Sequence, residues 1–406
     1  MNSKQSQEVG IKEMIHREDI ICFANDWDGD PLSKKHIMMR LAKYNRVLWV
    51  NSLGNRNPTI SSRDLQRICK KIYAFASGLQ RVHENIWVFT PLVVPLPGLR
   101  LARIFNEHLL RASIRLHCRR LGFSHPITWT FVPSSADVVG RLGEKLVLYH
   151  CVDEYSQFSD TNRTMIANIE EKLLRKSDVV IVSAAKLFES KQAINANTYL
   201  MRHGVDFEHF ARACLDTLEI PPDIGCLPRP IIGFHGLIAD WVDMALIERC
   251  AQAHPEWSIV LLGKSHDGIR INKRLKNIHW LGGKDYRDLP AYCKAFDVAI
   301  IPFVVNELTI NANPLKLREY LAAGLPVVST DIPEAYVFNN LIAIGRNQEE
   351  FIHQIELVLA NRAPGPNIAR SLQMRSESWD ARVEELSTLI QHHLKVKCHA
   401  AAKQAA

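Results

Sequence analysis

The sequence predicts an α/β protein built as two doubly wound parallel-sheet units, and three observations carry that reading. Short apolar runs alternate with helical segments along nearly the whole chain, the pattern of βαβ crossovers. The 406 residues are too many for one ordinary core, and 47% hydrophobic with 23% charged residues describes a globular chain. A proline-bearing stretch, Leu215 to Arg229, separates two such runs.

Asp19 to Ala24 reads as the first buried strand and opens into the polar loop Asn25 to Pro31; ligands of open α/β sheets collect at such strand ends. A helix from Ser33 to Lys43 and a strand from Val47 to Val50 follow. The basic segment Arg63 to Arg81 precedes the strand Ile86 to Thr90, the proline-rich loop Pro91 to Pro97 and a long helix from Leu99 to Leu121. Strands at Ile127 to Phe131 and Leu146 to Tyr149 come next, with His150 and Asp153 just past the second of them. A helix near Ile166 to Arg175 and the strand Asp178 to Ser183 complete this run. The second run begins with Pro230 to Gly236 and continues through Ser258 to Leu262, Ile278 to Gly282 and Asp297 to Phe303. It ends in a helix around Trp379 to Leu394, and the tail beyond Lys395 shows no core-forming pattern.

Composition narrows the functional classes. No apolar run approaches the ~20 residues that span a bilayer, and Met1 to Glu8 lacks a signal-peptide core, so a cytoplasmic protein is expected. Nine scattered cysteines without a C-x-x-C pair point to free thiols rather than a zinc site. Asp26-x-Asp28-x-Asp30 is not a calcium loop, because Pro31 and Ile37 stand where glycine and glutamate are required. Gly263-Lys264-Ser265 resembles the end of a P-loop, but Ser258 occupies the first glycine position, and no G-x-G-x-x-G follows a strand. The net charge of +7 comes without a recognised nucleic-acid motif.

The most informative stretch is Asn313 to Val328. Asn313 suits an N-cap and Pro314 a first helical position; the helix should stop at Gly324, before the buried strand Val327 to Thr330. Its start presents the N–H groups of Leu315 and Lys316, and Lys316 adds a charge, which together suit a phosphate. Glu319 lies about 4–5 Å further along the axis, a spacing that fits a diphosphate followed by a ribose diol. A capped amphipathic helix with a solvent-facing Lys/Glu pair is the alternative reading.

Preceded by Asp297 to Phe303, this stretch resembles the nucleotide-sugar site of retaining glycosyltransferases of the GT-B architecture. That family carries an E-x7-E pair, whose second acid, holding the ribose, matches Glu319; the first falls on Asn311. Together with Trp49-Val50-Asn51, Thr90 to Pro95 and Tyr149 to Tyr155, the chain is similar to a bacterial branch of the family associated with teichuronic acid and exopolysaccharide assembly. The resemblance implies two Rossmann-like domains facing a cleft: 1–205 for the acceptor, a linker at 206–229, 230–375 for the nucleotide sugar, and a helix and tail at 376–406 crossing back.

It further implies a donor site from Gly236, Lys264, Asn311, Asn313, Pro314, Leu315, Lys316 and Glu319. Relatives often place an Arg and a Lys after the glycine matching Gly236, where this chain has Leu237 to Trp241. Asp153, and less so His150, is expected near the sugar or acceptor, with a helix-capping role for Asp153 as the alternative. The loop Asn25, Asp26 and Asp28 is expected to contact acceptor hydroxyls or else to be a solvated turn. No cofactor or metal is expected. The implied reaction is transfer, with retention, from a nucleotide-diphosphate sugar to a lipid-linked or polysaccharide acceptor. A nucleotide-sugar epimerase of the same fold, or a binding protein that has lost catalysis, is the alternative.

In the helix Leu99 to Leu121, Leu101, Ile104, Phe105, Leu109, Ala112 and Leu116 lie near one side, with Arg103, Arg111, Arg115, Arg119 and Arg120 supplying cations. That side is either core or, beside the apolar loop Leu92 to Pro97, a contact for an anionic membrane surface.

Overall fold

The computed structural model describes residues 14–29, 31–52, 73, 75, 77–94, 99–158, 161–266, 269, 272, 274–361 and 364–405. The chain divides into two units, one formed by Met1–Arg202 with Arg382–Ala406 and the other by His203–Ala381.

In the first unit, strands β1 (Asp19–Phe23), β2 (Arg46–Val50), β3 (Gln80–His83), β4 (Ile86–Phe89), β5 (Ile127–Thr130), β6 (Leu146–Cys151), β7 (Val179–Val182) and β8 (Thr198–Leu200) form one sheet. Their order is β3-β4-β2-β1-β5-β6-β7-β8, and all neighbours are parallel except β3 with β4. Helices cover parallel sheets on both faces, which is why β1, β5, β6 and β7 are apolar runs buried at every position. β3 was not legible in the sequence because an exposed edge strand needs no apolar residues, and all four of its side chains face solvent. Strand order reverses between β1 and β5, and the loop that starts at Asn25 leaves β1 at that switch point.

Several expectations need correction. β6 continues through His150 and Cys151, so His150 lies within the strand and not past it. The long helix is Arg100–Leu121, and it buries Ala102, Leu110, Ile114 and His117; Leu101, Ile104, Phe105 and Leu116 are exposed, so the core reading of their side is overturned. Asp30, most of Arg63 to Arg81 and Pro95 to Pro97 lie outside the described residues.

In the second unit, β9 (Ile231–His235), β10 (Ser258–Leu262), β11 (Ile278–Gly282), β12 (Val298–Ile301), β13 (Val327–Thr330) and β14 (Ala343–Gly345) form an all-parallel sheet in the order β11-β10-β9-β12-β13-β14. Here the order reverses between β9 and β12, so the turn after β9 and the segment after β12 flank the switch point. The segment 206–229, expected as a linker, is instead built into this unit: Phe207, Phe210, Ala213 and Ile224 are buried in its core.

The last helix, Trp379–Ala405, begins in the second unit, and its residues from Arg382 onward group with the first. There Tyr199 Oη and His393 Nε2 are 2.9 Å apart, and Lys397 pairs with Asp178 at 2.7 Å. The helix outruns its expected end, where Ala400 and Ala402 favour helix although both are exposed.

Candidate functional site

At the switch point of the second unit, β9 ends in Gly236, whose N–H donates to Leu262 O at 2.8 Å, while Gly263 N–H donates to Gly282 O at 2.8 Å. The turns after β9, β10 and β11 are thereby held together. The approach is close enough that a Cβ on Gly263 would stand 1.8 Å from Gly236 O. Gly236 itself has φ +135°, and a Cβ there would stand 1.8 Å from Lys316 Cε and 2.6 Å from its Nζ. Lys316 therefore reaches from the segment after β12 across the turn after β9, bringing its ammonium to the point where the two halves of the sheet part.

Lys316 belongs to the helix Leu315–Ala322, one residue later at its start than the sequence suggested. Asn313 is not its N-cap. Its Nδ2 donates to Glu334 Oε2 at 2.8 Å, and its Oδ1 accepts from Arg318 Nη1 at 2.6 Å, so a buried network consumes the side chain expected to cap. Pro314 takes the capping position, and first-turn N–H groups of a helix have no acceptor within it. Gly324, with φ +74°, ends the helix as read: its N–H donates to Leu321 O and Leu325 N–H to Tyr320 O. Asn311 closes the preceding short helix Glu307–Ile310, and its Nδ2 donates to Glu307 O at 2.7 Å.

Glu319 sits one turn in from Lys316 with its side chain 16% exposed. Burial holds its carboxyl up to about 7, against the pull of Lys316 and with a further push from Asp206. Beside it lies His235, the last residue of β9, whose Nε2 is 3.7 Å from Glu319 Oε2 and has no hydrogen-bond partner among the described residues. Burial, and then Lys316, lowers this imidazole to about 3, so it is neutral at physiological pH. His235 is fixed by Phe210, stacked at 6.1 Å, and by Tyr320, edge-on at 4.7 Å, whose Oη accepts from His235 N–H at 2.7 Å. Lys264 is exposed in the turn after β10, running beside the chain after Gly236: its backbone O accepts from Ile238 N–H at 2.9 Å.

In the first unit, the loop after β1 is anchored at several points. Trp49 Nε1 donates to Asn25 O, Trp27 N–H to Asn51 Oδ1, and Ser52 N–H to Asp26 Oδ1, at 3.0, 3.0 and 3.1 Å. Asn51 Nδ2 also donates to Thr90 Oγ1 at 2.8 Å, so Asn51 ties three loops together. Asn25, Asp26 and Asp28 remain exposed. Buried Lys34 donates to Asn25 Oδ1 at 2.9 Å; burial lowers its ammonium to about 8, while Asp153 and then Cys22 pull it back up.

The two residues expected to act in catalysis differ sharply. His150 is 2% exposed and packs against Phe131 at 4.9 Å and Trp129 at 6.2 Å, with burial and then Lys34 lowering it to about 3, so it is a neutral core residue. Asp153 is half-buried at the end of β6, within electrostatic reach of Lys34. Neighbouring Glu154 instead joins Glu170 in holding buried Lys191, at 2.7 and 2.8 Å.

The structure thus brings Gly236, Lys316 and Glu319 together, with Lys264 in the adjoining turn. Sequence reasoning missed His235, Asp206 and Lys34. Each is a polar residue at or just beyond a strand end or helix start, and that placement was the available signal.

Two Rossmann-ordered units, each with polar residues gathered at its switch point, define the GT-B architecture. Trehalose 6-phosphate synthase of Burkholderia multivorans shares it at a TM-score of 0.63 and 12% identity, covering 97% of this chain and 99% of that one. Anabaena HepE, solved in complex with UDP and glucose, matches at 0.60 and 14% identity over 90% of this chain and 97% of that one. Residues 229–361 match the glycosyl transferases group 1 family. The chain is also 25% identical over 277 residues to TuaH of Bacillus subtilis (strain 168), assigned as a teichuronic acid biosynthesis glycosyltransferase, covering 61% of this chain and 68% of that one. Residues 229–361 thus match a glycosyl transferases group 1 domain, and the protein is a glycosyltransferase.

Proposed function

We propose that this glycosyltransferase takes a sugar from a nucleoside diphosphate sugar and transfers it, with retention of configuration, to a lipid-linked or polysaccharide acceptor in the assembly of a cell-surface polysaccharide. The observation that carries the reading is Lys316 laid across Gly236 at the switch point of the second unit, with Glu319 one turn further along the same helix. A diphosphate beside Gly236 meets the Lys316 ammonium and the first-turn N–H groups of the helix, with Lys264 in the adjoining turn. Glu319 then accepts hydrogen bonds from the ribose diol.

As the bond between the anomeric carbon and the diphosphate breaks, negative charge grows on the leaving phosphate, and these fixed positive groups stabilise it. No metal is needed for this task. In the first unit, Asn25, Asp26 and Asp28 contact the acceptor, and Asp153 is its polar neighbour at the end of β6. The names of TuaH and HepE support, respectively, the polysaccharide role and a UDP-sugar donor. The eight described cysteines are all free thiols, which favours the cytoplasmic side, where nucleotide sugars are found.

A thermal-shift screen against UDP, GDP, dTDP and ADP and their common sugars, with and without magnesium, tests the reading by mass action. A metal-independent shift for one nucleotide, lost in Glu319→Ala, is the expected result. No shift with any of them, or a shift unchanged in Glu319→Ala, overturns the donor site.

A further inference from the structure

His235 carries a buried polar atom that phosphate and ribose binding by Lys316 and Glu319 leaves unused. The residue is 3% exposed, and its Nε2 has no hydrogen-bond partner among the described residues, although buried polar atoms of native proteins are nearly always paired. Neighbouring rings hold the imidazole in place. Phe210 lies parallel to it, with 8° between the planes, Tyr320 stands across it at 78°, and the backbone N–H of His235 donates to Tyr320 Oη. Glu319 Oε2 stands 3.7 Å from Nε2, just beyond the ~2.9 Å of a hydrogen bond. A phenyl ring would fill the same slot without leaving a polar atom unpaired, so packing alone does not call for histidine here.

We propose that His235 is a positioning residue for sugar transfer: when the nucleotide binds, its Nε2–H donates to the Glu319 carboxylate and holds that group in the orientation that accepts from the ribose diol. A swing of the Glu319 side chain closes the gap while the clamped ring stands still. A carboxylate offers about four acceptor sites, so one is filled by the imidazole and enough remain for both hydroxyls. Lys316 disfavours a second cation beside it, so the ring donates as a neutral group and adds no charge. Among the described residues, the other titratable groups that face Glu319 are Lys316 and Tyr320 on its own helix, Asp206 before the helix Phe207–Phe210, and Cys293 on the helix Leu289–Ala295. Of these, Lys316 is laid across Gly236, Tyr320 Oη already accepts from His235, and Asp206 repels a carboxylate. This role rests on the reading of Glu319 as the ribose acceptor.

Calorimetric titration of the full chain with UDP, GDP, dTDP and ADP in turn tests it. His235→Phe should weaken the nucleotide that binds about ten-fold, while the unfolding temperature of the free protein stays the same or rises, because the slot remains filled and the unpaired nitrogen is gone. His235→Gln, whose amide nitrogen can stand where Nε2 stood, should recover most of that loss. Added to Glu319→Ala, His235→Phe should change affinity by less than about two-fold, since both act through one carboxylate. Binding needs that carboxylate ionised, so affinity rises as pH rises through its value of about 7; loss of a donor raises the value, and the rise in His235→Phe should lie at higher pH than in the wild type. Wild-type affinity in His235→Phe, alongside a clear loss in Glu319→Ala, overturns the role of His235 and leaves the donor site standing. A loss in His235→Phe that persists undiminished on top of Glu319→Ala is a packing effect and overturns it as well. Undiminished binding in Glu319→Ala, or no binding of any of the four by the wild type, overturns the donor site and this role with it.

Discussion

Lys316 crosses Gly236 so closely that the smallest possible side chain at position 236 would stand 1.8 Å from Lys316 Cε. Gly236→Ala must therefore move the ammonium and must also place a Cβ at φ +135°. Nucleotide affinity measured by calorimetry should fall roughly ten-fold or more, because a charge-assisted hydrogen bond is worth about 1.5–3 kcal/mol. Stability should fall by about 1–3 kcal/mol. Wild-type affinity in this variant would show that the ammonium plays no part in binding.

Glu319 makes the second unit pH-sensitive. Its carboxyl is raised from 4.5 to about 7 in the folded protein, so between those values the native state binds more protons than the unfolded chain. Its contribution to stability is therefore present at low pH and is lost as pH rises toward 7. In urea unfolding, the wild type should lose stability relative to Glu319→Gln between pH 5 and 7.5 on the order of 1–3 kcal/mol. Nucleotide affinity should move the opposite way, since only the carboxylate accepts two hydrogen bonds from a ribose. Parallel stability curves for the two proteins would show that the group titrates normally.

Lys34 gives the first unit a distinct signature. Its folded value of about 8 lies below 10.5, so the unfolded chain holds the extra proton between them and stability rises with pH across that window. Lys34→Met should abolish the rise, release Asn25 and raise the KM for acceptor while leaving nucleotide affinity unchanged. A raised nucleotide Kd instead would place Lys34 with the donor.

Arg318, 1% exposed, donates to Asn313 and lies over Phe338 at 5.0 Å, while Asn313 in turn donates to Glu334, which is 2% exposed. Arg318→Leu removes a buried cation from this network and should cost about 3–5 kcal/mol in chemical denaturation. A loss below ~1 kcal/mol would mean the network is solvated.

How much of this was legible follows from the range of the interactions. The strands could be read because burial on both faces makes a parallel strand a continuous apolar run, and Gly324 because a left-handed helix end is a local requirement. Lys316 and Glu319 could be read because one helix spaces them. Asn313 could not. Its preference for capping is local, but Arg318 and Glu334 claim the side chain through the tertiary fold. His235 likewise looks like any strand-ending residue until β9 is set beside the helix that carries Glu319. The apolar side of Arg100–Leu121 could be read either as core or as a surface contact because hydrophobic periodicity reports an amphipathic helix without saying which neighbour covers it.

The first unit closes over a long interval of sequence: its sheet is complete by Leu200, yet Tyr199 and Asp178 are engaged by His393 and Lys397. During synthesis those partners leave the ribosome only after all of the second unit has been made. The second unit is continuous in sequence and can finish folding first, while the first waits with its C-terminal helix missing. A chain released early would carry a complete second unit beside a first unit that lacks its C-terminal helix.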